Sequence, residues 1–452
     1  MAQKIIFFSN ILTNRLHYIA TFILGDLLGL EVVFTQDADV FMTSDLPKIQ
    51  YDKTHLPVKS VFIESHVLLF EDVLKKYDIN ANIDFFSTTN TNSDFDFDIF
   101  ARSFFLISRY EEYTLSASAI DVHGRFTAAA SIAAKLGFLQ QPVVNQWSIH
   151  LLKTLLIKFP HLKYTLPTYR YQPTFDIDMA WSVRHKGILR TIYPFVQDIW
   201  RGQWINIRKR VNILRGSEKD PSDTFDDILQ FYNKHNTPLI FFWLLGDYGR
   251  FDKNTYWKNK KFQDLIRHIA DSCKVGIHPS YRSNDDINIL RKEITRLTTI
   301  LHVKSFKKDV LFTQNARITE GVTFPSRQHF LKLTFPYTYQ NLIYFGIQDD
   351  FSMGYADDTG FRAGVATPFK WFDLSRNEVT DLTIHPFQVM DVTLKNYLKL
   401  TPDEALTRIY MIADAIRAVG GTFTSLCHND NISETGAWIG WRRVLLNSEV
   451  FY

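Results

Sequence analysis

The stretch TFDIDMAW, residues 174–181, closes an apolar run on two carboxylates, Asp176 and Asp178. On a strand, residues two apart face the same side, so both acids would occupy one patch of space. Without a positive partner that arrangement costs stability or forces one pKa upward. Either the pair is solvated at a loop tip, or a cation or an arginine sits between the two acids.

The segments that follow favour a built site. From residue 172 onward, strand-like runs alternate with helical ones. The strand readings are QPTFDID (172–178), TPLIFFWLLG (237–246), KVGIH (274–278), VTFPS (322–326), LIYFGIQDD (342–350), GVATPFKWF (364–372), LTIHPFQVMD (382–391) and GGTFTSLCHND (420–430). Between them, 222–235, 257–273, 285–302 and 401–421 read as helices. Ile287, Leu290, Ile294, Leu297 and Leu301 form one apolar stripe, and Thr401, Pro402 and Glu404 form a capping box. Repeated βα units imply a mostly parallel sheet or barrel, with chemistry at the strands' C-terminal ends. Upstream, residues 1–165 alternate short strands (4–9, 30–35, 60–65, 83–88) with helical stretches at 98–114 and 148–159. That is a smaller α/β domain, joined by a proline-bearing linker at 161–173 to a second domain over 170–452.

Composition narrows the function classes. A chain of 452 residues holds two or three domains, and 46% apolar with 22% charged residues is the balance of a soluble globular protein. The net charge of +3 argues against a dedicated nucleic-acid binder. Phe and Tyr are abundant, chiefly as core, while Tyr337, Tyr339 and Tyr355 are candidates to stack on sugars or simply to pack. Cys273 and Cys427 have no metal-type spacing and suit a reducing compartment. No uninterrupted run of ~20 apolar residues spans a membrane, so a cytoplasmic location is expected. The basic run IRKRVNILR (207–215) reads first as a solvated helix face, with an anionic glycan or membrane surface as the other reading. The oligomeric state is open.

Several strands end on chemistry-bearing residues: Asp176 and Asp178, His278, Arg327 with His329, Asp349 with Asp350, Asp391, and His428. In a parallel sheet these ends meet on one rim, where acids, histidines and an arginine suit hydrolysis at a metal. Over residues 170–452 the chain resembles the polysaccharide deacetylases of carbohydrate esterase family four. TFDID is similar to that family's first motif, VGIHPSY (275–281) to its second, SRQHF (326–330) to its third and SLCH (425–428) to its last. The stretch 349–369, with SRYEEYT (108–114) and HGRF (123–126), resembles a divergent bacterial branch carrying an extra N-terminal α/β domain. The resemblance implies a distorted (β/α) barrel and metal-dependent removal of an acetyl group from a carbohydrate substrate. It further implies Asp176 as general base, Asp178 and His278 as metal ligands, Arg327 holding the base, and His428 as general acid. Asp391 is the first candidate to orient His428, and Asp350 the second.

Two departures leave alternatives open. Ile177 separates acids that are adjacent in the family, and Arg282 stands where the second motif has another histidine. Arginine is not a metal ligand. His329 could be the third ligand of a divalent metal, zinc by preference. Otherwise two protein ligands and waters hold the metal, or it is lost and Arg282 binds an anionic group in a non-catalytic glycan- or partner-binding descendant. A glycosidase built on Asp349 and Asp350 would need two carboxyls ~5–10 Å apart across a cleft.

Overall fold

The computed structural model describes residues 2–77, 86–114, 117–302 and 324–450. It divides into two units: Met1–Arg170 with Met353–Gln388 and Met411–Phe423, and Tyr171–Ser352 with Val389–Tyr410 and Thr424–Tyr452.

In the first unit, β1 (Gln3–Phe8), β2 (Leu30–Thr35), β3 (Lys48–Asp52) and β4 (Val61–Glu64) form a parallel sheet in the order β2-β1-β3-β4. Ile5, Ile6, Phe7 and Phe8 are all buried, as expected when a parallel sheet is covered on both faces. The runs read as strands at 4–9, 30–35 and 60–65 fall on β1, β2 and β4. The run at 83–88 begins outside the described residues, and its described end makes only the isolated bridge Ser87 to Phe97. The same unit holds an antiparallel pair, Phe369–Asp373 with Glu378–Ile384.

A buried ionic cluster joins two of the stretches quoted above. Glu112 accepts from Arg109 Nε at 2.7 Å and from Arg362 Nη2 at 2.5 Å. Arg109 also donates to the Arg362 carbonyl and pairs with Glu111 at 2.8 Å. Burial pushes the Glu112 carboxyl up, but Arg362 and Arg109 outweigh it and leave the group below its usual range. Glu112 is thereby shared by two arginines that have almost no access to solvent, with Glu111 as a second carboxylate on Arg109.

In the second unit, β5 (Tyr169–Ile177, its first two residues assigned to the other unit), β6 (Ile240–Leu244), β7 (Lys274–His278), β8 (Val389–Met390) and β9 (Gly421–His428, its first three residues assigned to the other unit) form one sheet in the order β8-β9-β5-β6-β7. The β5–β6, β6–β7 and β8–β9 pairs are parallel. Beyond β7 the sheet is prolonged by single parallel bridges from Ile277 to Ser326 and from Ser326 to Asp350. The expected barrel does not close: among the described residues the sheet stays open. Its outer members are a two-residue strand on one side and single bridges on the other, too short for the tilted, staggered pairing that closure needs.

β6 is apolar throughout and wholly buried, with Phe242 registered between Asp176 and Gly276. A Cβ on Gly276 would lie 2.5 Å from the Pro325 carbonyl and 2.6 Å from Phe242 Cδ1. The missing side chain is what lets the 325–327 segment lie against β7.

Three strand readings need correction. LIYFGIQDD is extended only at Asp349–Asp350: its first three residues close the helix Tyr337–Tyr344 and its middle is a turn. Thr338, Tyr339 and Leu342 are buried at helical spacing, a period that a short apolar run cannot separate from a buried strand. LTIHPFQVMD splits into Glu378–Ile384 and β8 around Pro386, which lacks an N–H for a ladder. In GVATPFKWF the strand begins at Phe369, after Pro368. VTFPS starts outside the described residues, and its Ser326 makes only the two bridges. The expected helices are present at Phe225–Lys234, Lys260–Ala270, Ile287–Ile300 and Pro402–Arg417. The capping box forms, with Thr401 N donating to Glu404 Oε2 at 2.8 Å.

Two substitutions test this account. Gly276→Ala should destabilise the protein by about 1–3 kcal/mol through overpacking, read by urea denaturation. Glu112→Gln should cost about 3–5 kcal/mol, because two buried guanidinium groups lose their only shared carboxylate. A loss within experimental error for Glu112→Gln would show that the cluster is solvated.

Candidate metal and acid–base site

β5 delivers Asp176 as its penultimate residue and Asp178 just past its end, so the strand geometry that places both acids together holds almost to Asp178. Asp176 is buried, while the Asp178 side chain is 35% exposed. The single bridge at Ser326 places Arg327 beneath them. Its side chain donates to Thr174 Oγ1 at 2.7 Å, to Asp176 Oδ1 at 3.0 Å and, from Nε, to the Phe351 carbonyl at 3.0 Å. The guanidinium lies 4.6 Å from the Phe242 ring centroid. Burial draws the Arg327 pKa down, against the pull of Asp176.

His278, the last residue of β7, bonds through Nδ1 to the Arg327 carbonyl at 2.6 Å. A carbonyl can only accept, so Nδ1 carries a proton and, in the neutral ring, Nε2 presents a lone pair. That Nε2 lies 3.3 Å from Asp178 Oδ1 and 3.7 Å from Asp176 Oδ2. His329 is arranged similarly: Nδ1 meets Asp252 Oδ1 at 2.8 Å, and Nε2 stands 3.4 Å from Asp178 Oδ2. Burial opposes protonation of His329, but Asp178 and Asp252 outweigh it and carry the ring up to about 9. Burial likewise raises Asp178, yet the charge of His329 first, with His428 behind it, outweighs burial and holds it well below the usual carboxylate range.

The donor set fits a divalent cation. One ligand atom from each of Asp178, His278 and His329 lies within 4.8 Å of the others. Asp178 Oδ1 is buried with no hydrogen-bond partner, facing the His278 nitrogen that carries no proton in the neutral ring. Facing lone pairs repel, and a cation between them removes the conflict. Two imidazoles and a carboxylate are a donor set that leaves a fourth tetrahedral position open.

On the other side of Asp178, His428 ends β9 with its Nε2 3.9 Å from Asp178 Oδ2. Its Nδ1 lies 2.9 Å from Asp391 Oδ1, while its backbone N–H donates to Asp391 Oδ2 at 2.7 Å. Asn431 donates to the same oxygen at 2.8 Å, and the Val392 N–H donates to Asp391 Oδ1 at 2.6 Å. Burial disfavours the imidazolium, but the Asp391 carboxylate outweighs it and holds His428 well above its ordinary pKa.

Asp176, Asp178, His278, Arg327, His329, Asp391 and His428 thus come together. Asp350 does not join them: it accepts from Ser326 and Ser352, and so organises a loop. Asp349 pairs with Lys274 at 3.7 Å. Arg282 is exposed, on a one-turn helix at Tyr281–Asn284. Tyr339 and Tyr355 are buried packing residues, and only Tyr337 is exposed. Sequence reasoning missed Asp252, Thr174 and Asn431. Asp252 lies on an irregular loop with no motif around it. The one usable signal was chemical: a ligating histidine needs a partner for its other nitrogen.

Residues 5–160 match a family of unknown function, DUF7033. No curated protein matches the sequence. Among solved structures, the chain is similar to a candidate polysaccharide deacetylase from Mycobacterium smegmatis, at 16% identity and TM-score 0.38 over 63% of this chain and 86% of the other. It is also similar to a polysaccharide deacetylase from Bacillus cereus, at 12% identity and TM-score 0.26 over 62% and 86%.

If the cluster binds added zinc, Asp252→Ala should weaken that affinity about 10–100-fold by removing the anchor of His329, as measured by competition with a chelator. Unchanged affinity would take His329 out of the ligand set.

Proposed function

We propose that this protein is a metal-dependent hydrolase that removes an N-acetyl or O-acetyl group from a carbohydrate or glycan precursor. The observation that carries the reading is the convergence of a three-donor cluster, an arginine-held carboxylate and a carboxylate-held histidine around Asp178. The four sequence stretches that resemble the esterase family supply Asp176, Asp178, His278, Arg327 and His428 in the family's order, with His329 as the departure from it. We place the chemistry in residues 170–452, on a deacetylase-like α/β fold, after a separate N-terminal α/β domain over 1–165. Two unpaired cysteines suit a cytoplasmic setting.

In this reading Asp178, His278 and His329 hold a divalent cation, with zinc favoured by the imidazole donors. When bound, it supplies Lewis acidity beside the acids. Asp176 takes the proton of the attacking water. Arg327, fixed by Thr174 and the Phe351 carbonyl, holds that carboxylate in place. His428 gives a proton from Nε2 to the departing nitrogen or oxygen. Asp391 holds the opposite nitrogen and keeps the ring protonated until transfer.

The test is acetate release from a panel of acetylated sugars by zinc-loaded protein. Asp176→Asn and His428→Ala should each lower turnover at least ~100-fold, the lower end of general acid–base contributions, without changing the unfolding midpoint. Full activity of folded Asp176→Asn protein would defeat the assignment. Absence of both zinc binding and acetate release from any substrate would favour a metal-free glycan- or partner-binding descendant.

A further inference from the structure

The helix Ile188–Trp200 is built inside out. Ile192, Val196, Ile199 and Trp200 fall on one stripe of the helix, and all four are exposed, Trp200 by 86%. Among the side chains of this helix that are described, the buried one is charged: Asp198, which accepts from Arg210 Nε at 2.7 Å. A short turn, Arg201–Gln203, leads into the second helix, Trp204–Arg215, whose first two residues are also exposed: Trp204 by 68% and Ile205 by 81%. Two tryptophans therefore flank the tip of a helical hairpin, with isoleucines behind them.

Cations share the hairpin with this apolar surface. Residues 188–215 contain six basic side chains and one acid, the Asp198 already paired with Arg210, in a chain whose overall net charge is only +3. The hairpin is also rooted close to the candidate site. Arg190 donates to the carbonyls of Lys253 and Asn254, immediately after Asp252.

We propose that this hairpin docks the protein on an anionic lipid bilayer, lying in the interface rather than crossing it. Exposed apolar area, tip tryptophans and surrounding cations are the combination that holds a helix at the headgroup boundary. None of the helices among the described residues is long and apolar enough to cross a membrane. A solvated helix face accounts for the arginines but not for an outward stripe of isoleucines and tryptophan. The inference does not depend on the hydrolase reading.

Cosedimentation of the full chain with vesicles decides it. The protein should bind mixed phosphatidylcholine–phosphatidylglycerol vesicles at low salt, bind pure phosphatidylcholine weakly, and be released as ionic strength rises. The double substitution Trp200→Ser, Trp204→Ser should lower partitioning roughly tenfold or more, as should Arg208→Glu with Lys209→Glu, with the unfolding midpoint unchanged. The proposal fails if the mixed vesicles are not bound, if neutral vesicles bind equally well, or if the tryptophan variant binds like the parent. It also fails if those tryptophans instead hold a concentration-dependent dimer that ignores vesicles, which would make the occupant a second copy of the chain.

Discussion

Two carboxylates forced onto one side of a strand end are the constraint from which the second unit is organised. Asp176 cannot leave the sheet without breaking the register of β5 against β6, and Asp178 follows two residues later. Positive charge must therefore be brought to them. Arg327 does this twice over: its side chain holds Asp176, and its backbone carbonyl orients His278 toward both acids. Removing that residue would disturb an acid and an imidazole together. The bare Cα of Gly276 and the lone bridge at Ser326 make sense in this light, since they bring the segment within reach.

How far the sequence could be read follows from which interactions are local. Strands β5, β6 and β7 were legible because buried parallel strands are continuous apolar runs. The Thr401–Glu404 cap was legible because its partners are three residues apart. The helix at Tyr337–Tyr344 was misread because a short buried run carries no decisive period. Closure of the sheet was not legible at all, since it depends on tilt and stagger summed over every strand. Within the site, residues at strand ends could be picked out because a parallel sheet gathers its ends on one rim. Asp252 escaped because a loop has no period, and only the fold brings it to His329.

The first unit shows the same logic without any reaction. SRYEEYT and the stretch 349–369 carry charges that look like surface residues in the linear sequence, yet Arg109, Glu112 and Arg362 are buried together. The Ile188–Trp200 helix is the converse. An apolar period tells which residues share a face, but not whether that face looks inward. There the buried side is the one with the carboxylate, and the greasy side is in the open.

The placement of His329 has one more consequence. In the esterase pattern two histidines share one short turn, which couples that turn's shape to the ligand set. Here the second imidazole arrives from the segment after Ser326, braced by Asp252, and the Tyr281–Asn284 turn carries Arg282, exposed to solvent. That turn gives no side chain to the donor cluster around Asp178, so its composition can drift without altering those donors. The exposed charge of Arg282 is therefore free to be exchanged while the buried donors stay as they are.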